Sequence, residues 1–256
     1  MSAAGQQARR AIAAAAYRSG LLGQYLRAAL GDRALVLMYH RVLDDGADTS
    51  GIDPGMFVTR QSFEAQLQVL RESFTLVTID AIGEWLAGRA TFDRPPCALT
   101  FDDGWADNYT VAFPLLQRFD ATATVFIVTG AVGTTDMMQW EQVREMERAG
   151  IAFGSHTVTH AELGRCQPDQ IRRELADSRE TINARLARPS RWFCFPKGSH
   201  NDAACRMAGE YYAGAVTVEN GWVSRGDDPY RVRRIGIHDD VSRTPALFAW
   251  RLARLR

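Results

Sequence analysis

The sequence predicts one parallel α/β domain in which strands and helices alternate, and a barrel accounts for the number of units better than an open sheet. From residue 34 onward, seven or eight apolar strand-like runs alternate with amphipathic segments, without a break in composition. No glycine-rich dinucleotide fingerprint or phosphate-binding loop follows any of these runs. In barrels, catalytic groups lie at the C-terminal ends of the strands, so polar residues at those ends are the first candidates for function.

The predicted strands are short apolar runs bounded by turn residues. The first of them, ALVLMYHRV, is apolar on both faces, which is typical of a strand buried from both sides. Pro95 and Pro96 mark the entry to the third strand. The strands are predicted at residues 34–42, 75–79, 97–101, 123–129, 151–155, 192–195, 213–218 and 232–237.

The intervening helices are predicted from apolar residues at helical spacing and from signals at their ends. Phe63, Leu67 and Leu70 share one helical face. Gly150 offers a left-handed cap, and Pro168 suits the first turn of a long helix. Further helices are predicted at residues 81–87, 111–119, 141–149, 168–186 and from 245 onward.

Residues 1–33 form an N-terminal extension that is predicted to be an amphipathic helix, separate from the domain at 34–256. The apolar run at 11–17 is too short for a convincing secretory signal, so we expect a cytoplasmic protein. Packing of the helix on the domain is the favoured interpretation, and weak contact with an anionic membrane surface is the alternative. The apolar stripe consists of Leu21, Leu22, Tyr25, Leu26, Ala29 and Leu30.

The composition excludes several classes of function. The 256 residues carry 30 Lys and Arg against 30 Asp and Glu, so the chain has no net charge with which to attract nucleic acid. No run approaches the roughly 18 consecutive apolar residues of a membrane-spanning helix. The 4 cysteines show no C-x-x-C spacing, which argues against a zinc ribbon or a disulfide framework.

Histidines and aspartates collect at the predicted strand ends. Asp102 and Asp103 follow one strand, His156 and His160 follow another, and His40 lies at the end of the first. Two histidines four residues apart on a helical turn project from one face and can bind one metal ion, with a carboxylate from another strand as third ligand. The alternatives are a chance spacing and an ordinary Asp-Asp-Gly turn, although buried charges after an apolar strand are costly without a cation.

Four segments resemble a known family. TFDDG at 100–104 and SHTVTH at 155–160 match the first two motifs of the polysaccharide deacetylases, the NodB-homology or carbohydrate esterase family 4 group, without a mismatch. LMYHRV at 37–42 and FCFPKG at 193–198 resemble the branch that contains exopolysaccharide and poly-N-acetylglucosamine deacetylases. The resemblance covers the chain from about His40 onward and implies a deviant (β/α)7-type barrel of parallel strands.

The resemblance also implies roles for individual residues. Asp102 would be the general base that takes a proton from the attacking water. His40 would be the general acid, because the motif order of this branch is permuted, and His238 is the alternative acid. The metal ligands would be Asp103, His156 and His160.

Further residues are expected to contact the substrate or to support the base. A backbone amide near Phe195 would stabilise the oxyanion, with Pro196 beside it. Trp105, Trp140 and Trp222 are candidates to stack on sugar rings, although tryptophan is as often part of a core or an interface. The third family motif often carries an arginine, which is missing here. Arg234 is either its substitute or part of a surface salt bridge.

Two more departures from the family pattern concern the substrate. Lys197 stands where relatives often have an aromatic residue, and the aspartate–tryptophan signature of the fourth motif is not visible. Both departures leave the identity of the substrate more open than the metal chemistry.

The expected function is metal-dependent removal of N-acetyl groups from an amino-sugar polysaccharide or oligosaccharide. Zinc is the default metal, although cobalt or nickel would fit the same ligands. One alternative is deacylation or deformylation of a lipid-linked amino sugar. Another is a catalytically silent carbohydrate-binding domain, which the intact Asp and His set argues against. The expected partner is an N-acetylated glycan or a lipid-linked sugar, and no nucleic acid.

Overall fold

The computed structural model describes residues 3–254 of the chain and contains a curled, mostly parallel sheet. Nine strands form this sheet, and β2 and β3 form a separate parallel pair. The strands are β1 (Arg33–Tyr39), β2 (Arg41–Leu43), β3 (Phe57–Thr59), β4 (Thr75–Val77), β5 (Pro96–Phe101), β6 (Thr124–Ile127), β7 (Ala152–Ser155), β8 (Trp192–Cys194), β9 (Gly214–Val216), β10 (Val223–Ser224) and β11 (Ile235–Gly236).

The strand order confirms the predicted parallel α/β barrel class. Along the sheet, β1, β5, β6, β7, β8 and β9 are neighbours and run parallel, while the short β10 is antiparallel to β1. Val232 bridges Val216 in β9, and Ile235 pairs with Leu37 in β1. The segment 232–236 therefore contacts both ends of the curled sheet.

Ten α-helices connect or cover the strands in the described part of the chain. Thr59 and Thr78 cap two of them, since each side chain accepts a hydrogen bond from the first helical turn. A π-helical turn, Asn108–Ala112, precedes α5. The helices are α1 (Ala3–Arg18), α2 (Leu21–Leu30), α3 (Arg60–Ser73), α4 (Ile79–Leu86), α5 (Phe113–Arg118), α6 (Trp140–Arg148), α7 (Pro168–Arg185), α8 (Asp202–Tyr211), α9 (Asp239–Ser242) and α10 (Pro245–Arg254).

The central strands are buried on both faces, as the first apolar run predicted. In β1, Leu35 and Leu37 contribute to one apolar cluster, while Ala34 and Val36 contribute to another on the opposite face. All residues of β5 are buried. The predicted run at 34–42 is divided at His40, where β1 ends and β2 begins. Helix α8 was not predicted; its buried face consists of the small residues Ala204, Cys205 and Ala208.

The N-terminal extension contains two helices where one was predicted. Leu22, Leu26 and Leu30 are buried in the main apolar cluster. Leu21 and Tyr25 remain 61% and 40% exposed, because they lie one position earlier on each turn and face away from that cluster. None of the helices within residues 3–254 is long and apolar enough to cross a membrane.

Candidate active site

The C-terminal ends of neighbouring strands bring five polar side chains into one region. His40 follows β1, Asp102 and Asp103 follow β5, and His156 and His160 follow β7. Parallel strands place their C-terminal ends on the same edge of a sheet, which explains why residues far apart in sequence meet here.

Asp103, His156 and His160 form a group that can hold a metal ion. The Oδ1 atom of Asp103 lies 3.5 Å from the Nε2 atom of each histidine, and one ligand atom from each residue lies within 4.8 Å of the others. A tetrahedral zinc ion with bonds of about 2.1 Å separates its ligand atoms by about 3.4 Å, so the spacing fits. Two imidazole nitrogens and one carboxylate oxygen are also a donor set that zinc, cobalt and nickel accept.

The orientation of His156 suits a metal ligand. Its Nδ1 atom lies 2.7 Å from the backbone carbonyl of Cys194, which can only accept a hydrogen bond. Nδ1 therefore carries the proton, and Nε2 presents its lone pair toward Asp103. Burial lowers the pKa of His156, although the charges of Asp102 and Asp103 oppose this effect, and a lowered pKa keeps the imidazole in the neutral form that binds metals.

The loop that carries the two histidines is not helical, so the predicted helical turn is wrong. Thr157 and His160 both adopt left-handed conformations, with φ of 68° and 61°. Glu174 of α7 fixes this loop through hydrogen bonds. Its Oε2 atom accepts hydrogen bonds from the amides of Val158 and Thr159 at 2.8 and 3.0 Å. The loop geometry, and not an i, i+4 helix face, brings the histidines together.

Asp102 lies behind this group in a closed, buried environment. The residue is 2% exposed and makes a bidentate ion pair with Arg234, with both N–O distances at 2.7 Å. Burial raises the pKa of Asp102, but the guanidinium charge and its hydrogen bonds outweigh burial and hold the pKa well below its usual range. Asp102 is thus a carboxylate at every working pH.

Arg234 is the buried partner of Asp102 and does not form a surface salt bridge. It is 0% exposed. Its five N–H donors all have acceptors, namely the two carboxylate oxygens of Asp102, the Thr217 carbonyl, the Thr100 hydroxyl and the Cys194 sulfur. Its complete burial also excludes the substrate contact that the sequence analysis considered for Arg234.

Cys194 occupies the region where the family often carries an arginine. Its Sγ atom lies 3.1 Å from Nη2 of Arg234 and 3.5 Å from Oδ2 of Asp102. Burial raises the pKa of this thiol well above its usual range, which keeps the sulfur uncharged between the two ions. The arginine therefore reaches the aspartate from the segment before β11, and a small residue in β8 leaves room for it.

The two candidate acids differ in their surroundings. The Nε2 atom of His40 lies 3.9 Å from Oδ2 of Asp102, and burial lowers its pKa despite the opposing charges of Asp102 and Asp103. His238 follows the neighbouring strand β11. Burial lowers its pKa as well, but its charged neighbours are Arg251, Asp240, Asp53 and Asp239, and none of them belongs to the metal-binding group.

The segment after β8 narrows the choice of a backbone amide near Phe195 for the oxyanion. The amide of Phe195 donates to the carbonyl of Val216 at 3.2 Å, so it is not available to a substrate, and Pro196 has no N–H. Both residues are buried. The next amide, that of Lys197, has no hydrogen-bond partner among the described residues. The Lys197 side chain points to solvent and donates to Glu162 at 2.9 Å.

A cavity of about 570 Å³ opens beside the metal-binding group. Apolar side chains form most of its wall, and Trp105 is the only tryptophan among the residues that line it. Trp222 is buried in the core, where its indole donates to the Leu252 carbonyl. The wall of the cavity includes Asp103, Trp105, Val128, Met137, Val158 and His160.

Comparison with known proteins identifies relatives. The sequence pattern of the polysaccharide deacetylase family matches residues 89–214. YxkH of Bacillus subtilis, whose name assigns it to the polysaccharide deacetylases, is 30% identical over 213 residues, which are 81% of this chain and 72% of the relative. The poly-beta-1,6-N-acetyl-D-glucosamine N-deacetylase of Staphylococcus aureus is 24% identical over 233 residues, 81% of this chain and 80% of the relative.

Solved structures show the same fold. The deacetylase PplD of Streptococcus pyogenes, in complex with acetate, superposes with a TM-score of 0.79 at 26% identity, covering 86% of this chain and 98% of PplD. IcaB from Ammonifex degensii superposes with a TM-score of 0.76 at 26% identity, covering 86% of this chain and 97% of IcaB.

Proposed function

This chain is an enzyme that belongs to the polysaccharide deacetylase family, and from that membership we propose that it hydrolyses the N-acetyl groups of an amino-sugar polymer at the site formed by Asp102, Asp103, His156, His160 and His40. The observation that carries the proposal is the convergence of these side chains. Asp103 faces both metal-binding histidines, and His40 faces the buried carboxylate of Asp102. A poly-N-acetylglucosamine is the substrate that the names of the relatives suggest.

Zinc is the metal that the ligand set favours. Asp103, His156 and His160 would hold it, and two of them, Asp103 and His160, line the cavity. When bound, the ion would polarise the acetamide carbonyl and lower the pKa of a water molecule at the site. Cobalt and nickel accept the same ligands, so metal analysis of the purified protein has to accompany any assignment.

Asp102 and His40 would accept and donate the protons of the reaction. A water molecule attacks the acetamide carbon while Asp102 accepts its proton. Asp102 is a weak base because Arg234 lowers its pKa, so it holds the proton only briefly. His40 is neutral at rest and lies 3.9 Å away, a gap that small adjustments on substrate binding can close. Asp102 passes this proton to His40, and the resulting imidazolium donates it to the amide nitrogen as the C–N bond breaks, which releases acetic acid and the free amine.

The developing oxyanion needs hydrogen-bond donors. The amide of Lys197 is the first N–H after β8 that has no hydrogen-bond partner among the described residues, because the amide of Phe195 is already bonded to Val216. Lys197 adopts a left-handed backbone conformation, with φ of 54°, which turns this amide out of the strand pairing. We therefore assign the oxyanion role to the Lys197 amide in place of Phe195.

The cavity suits an uncharged glycan. Apart from Asp103 and His160, the side chains that line it carry no charge, and Trp105 offers an aromatic surface of the kind on which sugar rings stack. A volume of about 570 Å³ is far larger than an acetyl group needs. We infer that it receives the sugar that carries the acetamide and part of its neighbour in the polymer.

Acetate release from β-1,6-linked N-acetylglucosamine oligomers tests the proposal. The wild type should release acetate, lose this activity after treatment with a chelator and regain it on addition of zinc. His156→Ala should be inactive under all these conditions. His200→Ala is the matched control, because His200 also bonds a backbone carbonyl through Nδ1 but lies outside the metal-binding group. Activity that survives chelation or His156→Ala would disprove the metal mechanism.

A lipid-linked amino sugar is the second candidate substrate, and one feature favours it. The first 31 residues contain four arginines and no acidic residue. Of the exposed large hydrophobic side chains in the described part of the chain, Ile12, Leu21 and Tyr25 lie on α1 and α2. Basic and apolar groups on one pair of helices are the features that bind anionic membrane surfaces. Sedimentation with anionic and with zwitterionic vesicles tests this alternative, since only the anionic vesicles should retain the protein.

A further inference from the structure

Trp105 makes a contact with the metal-binding group that no motif accounts for. Its indole Nε1 donates a hydrogen bond to Oδ2 of Asp103 at 2.9 Å. The other carboxylate oxygen, Oδ1, is the one that faces His156 and His160. The indole thus occupies one oxygen of the carboxylate and leaves the other for a metal ion.

The chain turns sharply to make this contact. Asp103 and Gly104 both have left-handed backbone conformations, with φ of 74° and 87°. A Cβ atom at Gly104 would lie 2.9 Å from Cγ2 of Ile127, so only glycine fits both the conformation and the space. The turn brings the indole of Trp105 back over the carboxylate two residues earlier.

Trp105 is itself held in place by the strand that follows His40. The guanidinium of Arg41 lies 4.5 Å from the centre of the indole ring. Arg41 donates to Oδ2 of Asp107 at 2.7 Å, and the amide of Val42 donates to Oδ1 of the same carboxylate at 2.9 Å. Because Asp107 is buried, this ion pair fixes the guanidinium and therefore the indole beneath it.

We propose that Trp105 is a positioning residue that holds Asp103 in the orientation required for metal binding, with Arg41 and Asp107 as its support. The inference rests on the proposed metal site. Groups that hydrogen-bond to a metal ligand restrict its rotation before the metal arrives, and their loss typically weakens metal affinity about 10- to 100-fold. Trp105 would contribute in this way whether or not its ring also contacts the sugar.

The test is the affinity for Zn²⁺ alone, measured by competition with a fluorescent chelator and without substrate. Trp105→Phe keeps an aromatic ring under Arg41 but removes the N–H, and we expect zinc to bind about 10- to 100-fold more weakly. Trp140→Phe is the matched control, because an arginine also stacks on that ring, Arg185 at 4.9 Å, but Trp140 lies outside the site. Its zinc affinity should equal that of the wild type.

A second variant leaves the indole N–H in place and loosens the ring. Arg41→Lys retains a positive charge near Asp107 but lacks the planar guanidinium. Because an ammonium held at Asp107 does not stack flat on the indole, the ring is held less firmly, and we expect zinc affinity to fall about two- to fivefold. This variant decides the question if Trp105→Phe does not fold, as judged by circular dichroism.

The outcomes separate this inference from the proposed function. Wild-type zinc affinity in folded Trp105→Phe, together with loss of zinc binding in His156→Ala, would overturn the role of Trp105 and leave the metal site intact. Unchanged zinc affinity in His156→Ala would overturn the metal site itself. If Trp105→Phe does not fold, wild-type affinity in Arg41→Lys would overturn the role of Trp105.

Discussion

Asp102 and Asp103 are neighbours in the chain, yet they lie in two very different regions of the molecule. Asp102 is enclosed with Arg234 and Cys194, and each polar atom of the guanidinium has a partner there. Asp103 stands at the wall of an open cavity, with two histidines on one side and an indole N–H on the other. In the first region Arg234 neutralises the charge of Asp102. In the second, Oδ1 of Asp103 faces the two histidines and can bind a metal ion.

One dipeptide can therefore supply two functions. A buried carboxylate survives only with a counter-charge, and the arginine that provides it also lowers its pKa. A carboxylate at a cavity wall is less costly, and its negative charge is available to an incoming metal ion. The left-handed turn at Asp103 separates the two environments, because it points consecutive side chains to different places.

The sharpest test of the contrast replaces each aspartate by asparagine. Asp103→Asn should lose zinc binding and on the order of 10³-fold or more in activity, since a bound metal supplies several kcal/mol of transition-state stabilisation. Asp102→Asn should keep zinc and lose about 10²- to 10⁴-fold in activity, as expected for removal of a general base. Zinc affinity and acetate release, measured on the same preparations, distinguish the two variants.

Without metal, Asp102→Asn should lose more stability than Asp103→Asn, the reverse of the order expected for zinc binding. Asp102→Asn leaves the buried charge of Arg234 without its counter-ion, which costs about 3–5 kcal/mol in the free energy of unfolding. Asp103→Asn removes one partly exposed hydrogen-bond acceptor and should cost about 1 kcal/mol. Urea unfolding measures both values. Equal losses in the two variants would contradict the contrast between the two regions.

The two candidate acids should differ in their effect on activity. His40→Ala should reduce acetate release about 10²- to 10⁴-fold, because His40 faces Asp102 across 3.9 Å. His238→Ala should remain within about threefold of the wild type, since the charged neighbours of His238 lie outside the metal-binding group. A large loss in His238→Ala with little loss in His40→Ala would assign the acid to the other histidine.

Arg234→Met tests the electrostatics of the buried region through pH. In the wild type the pKa of Asp102 is lowered, so the stabilisation is fully present above the unfolded value of about 3.9 and is lost as the pH falls through the folded pKa. Without Arg234, burial dominates and the pKa of Asp102 rises above its unfolded value. The variant should therefore lose about 3–5 kcal/mol at neutral pH, and this deficit should shrink as the pH falls through the raised pKa of Asp102 in the variant.

The raised pKa of Asp102 in Arg234→Met should also change how activity depends on pH. A raised pKa leaves Asp102 protonated over part of the working range, so the acidic limb of the kcat/KM profile should move to higher pH. The measurement is acetate release between about pH 5 and 9, with protein that is shown to be folded at each pH. An acidic limb at the wild-type position would mean that Arg234 does not control the protonation of Asp102.

The smallest effect is expected at Cys194. Its sulfur fills the space between Asp102 and Arg234 and accepts one weak hydrogen bond, so Cys194→Ala should cost about 1–2 kcal/mol in stability and leave activity within about threefold. The buried thiol should also resist a thiol reagent in the native protein, because burial raises its pKa and excludes the reagent. Rapid modification of Cys194 would show that the region around Asp102 is open.

Much of the fold could be predicted from the sequence, because its signals are local. The runs around β1, β5 and β7 are apolar enough to predict buried strands, and their ends carry the aspartates and histidines that meet in the structure. Helix α8 was not predicted, because its buried face has only small residues and lacks a strong apolar period. The two helices of the N-terminal extension were predicted as one, although Gly20 lies between them.

Local motifs and apolar periodicity were enough to predict the family, the strand order along the chain and the residues that carry the predicted chemistry. The partners of those residues follow from the three-dimensional fold alone. Arg234 lies 132 positions from Asp102 in sequence, and their ion pair exists because β11 closes against β1, which pairs with β5. The left-handed loop of His156 and His160, and the indole over Asp103, depend likewise on backbone geometry that residue spacing does not encode.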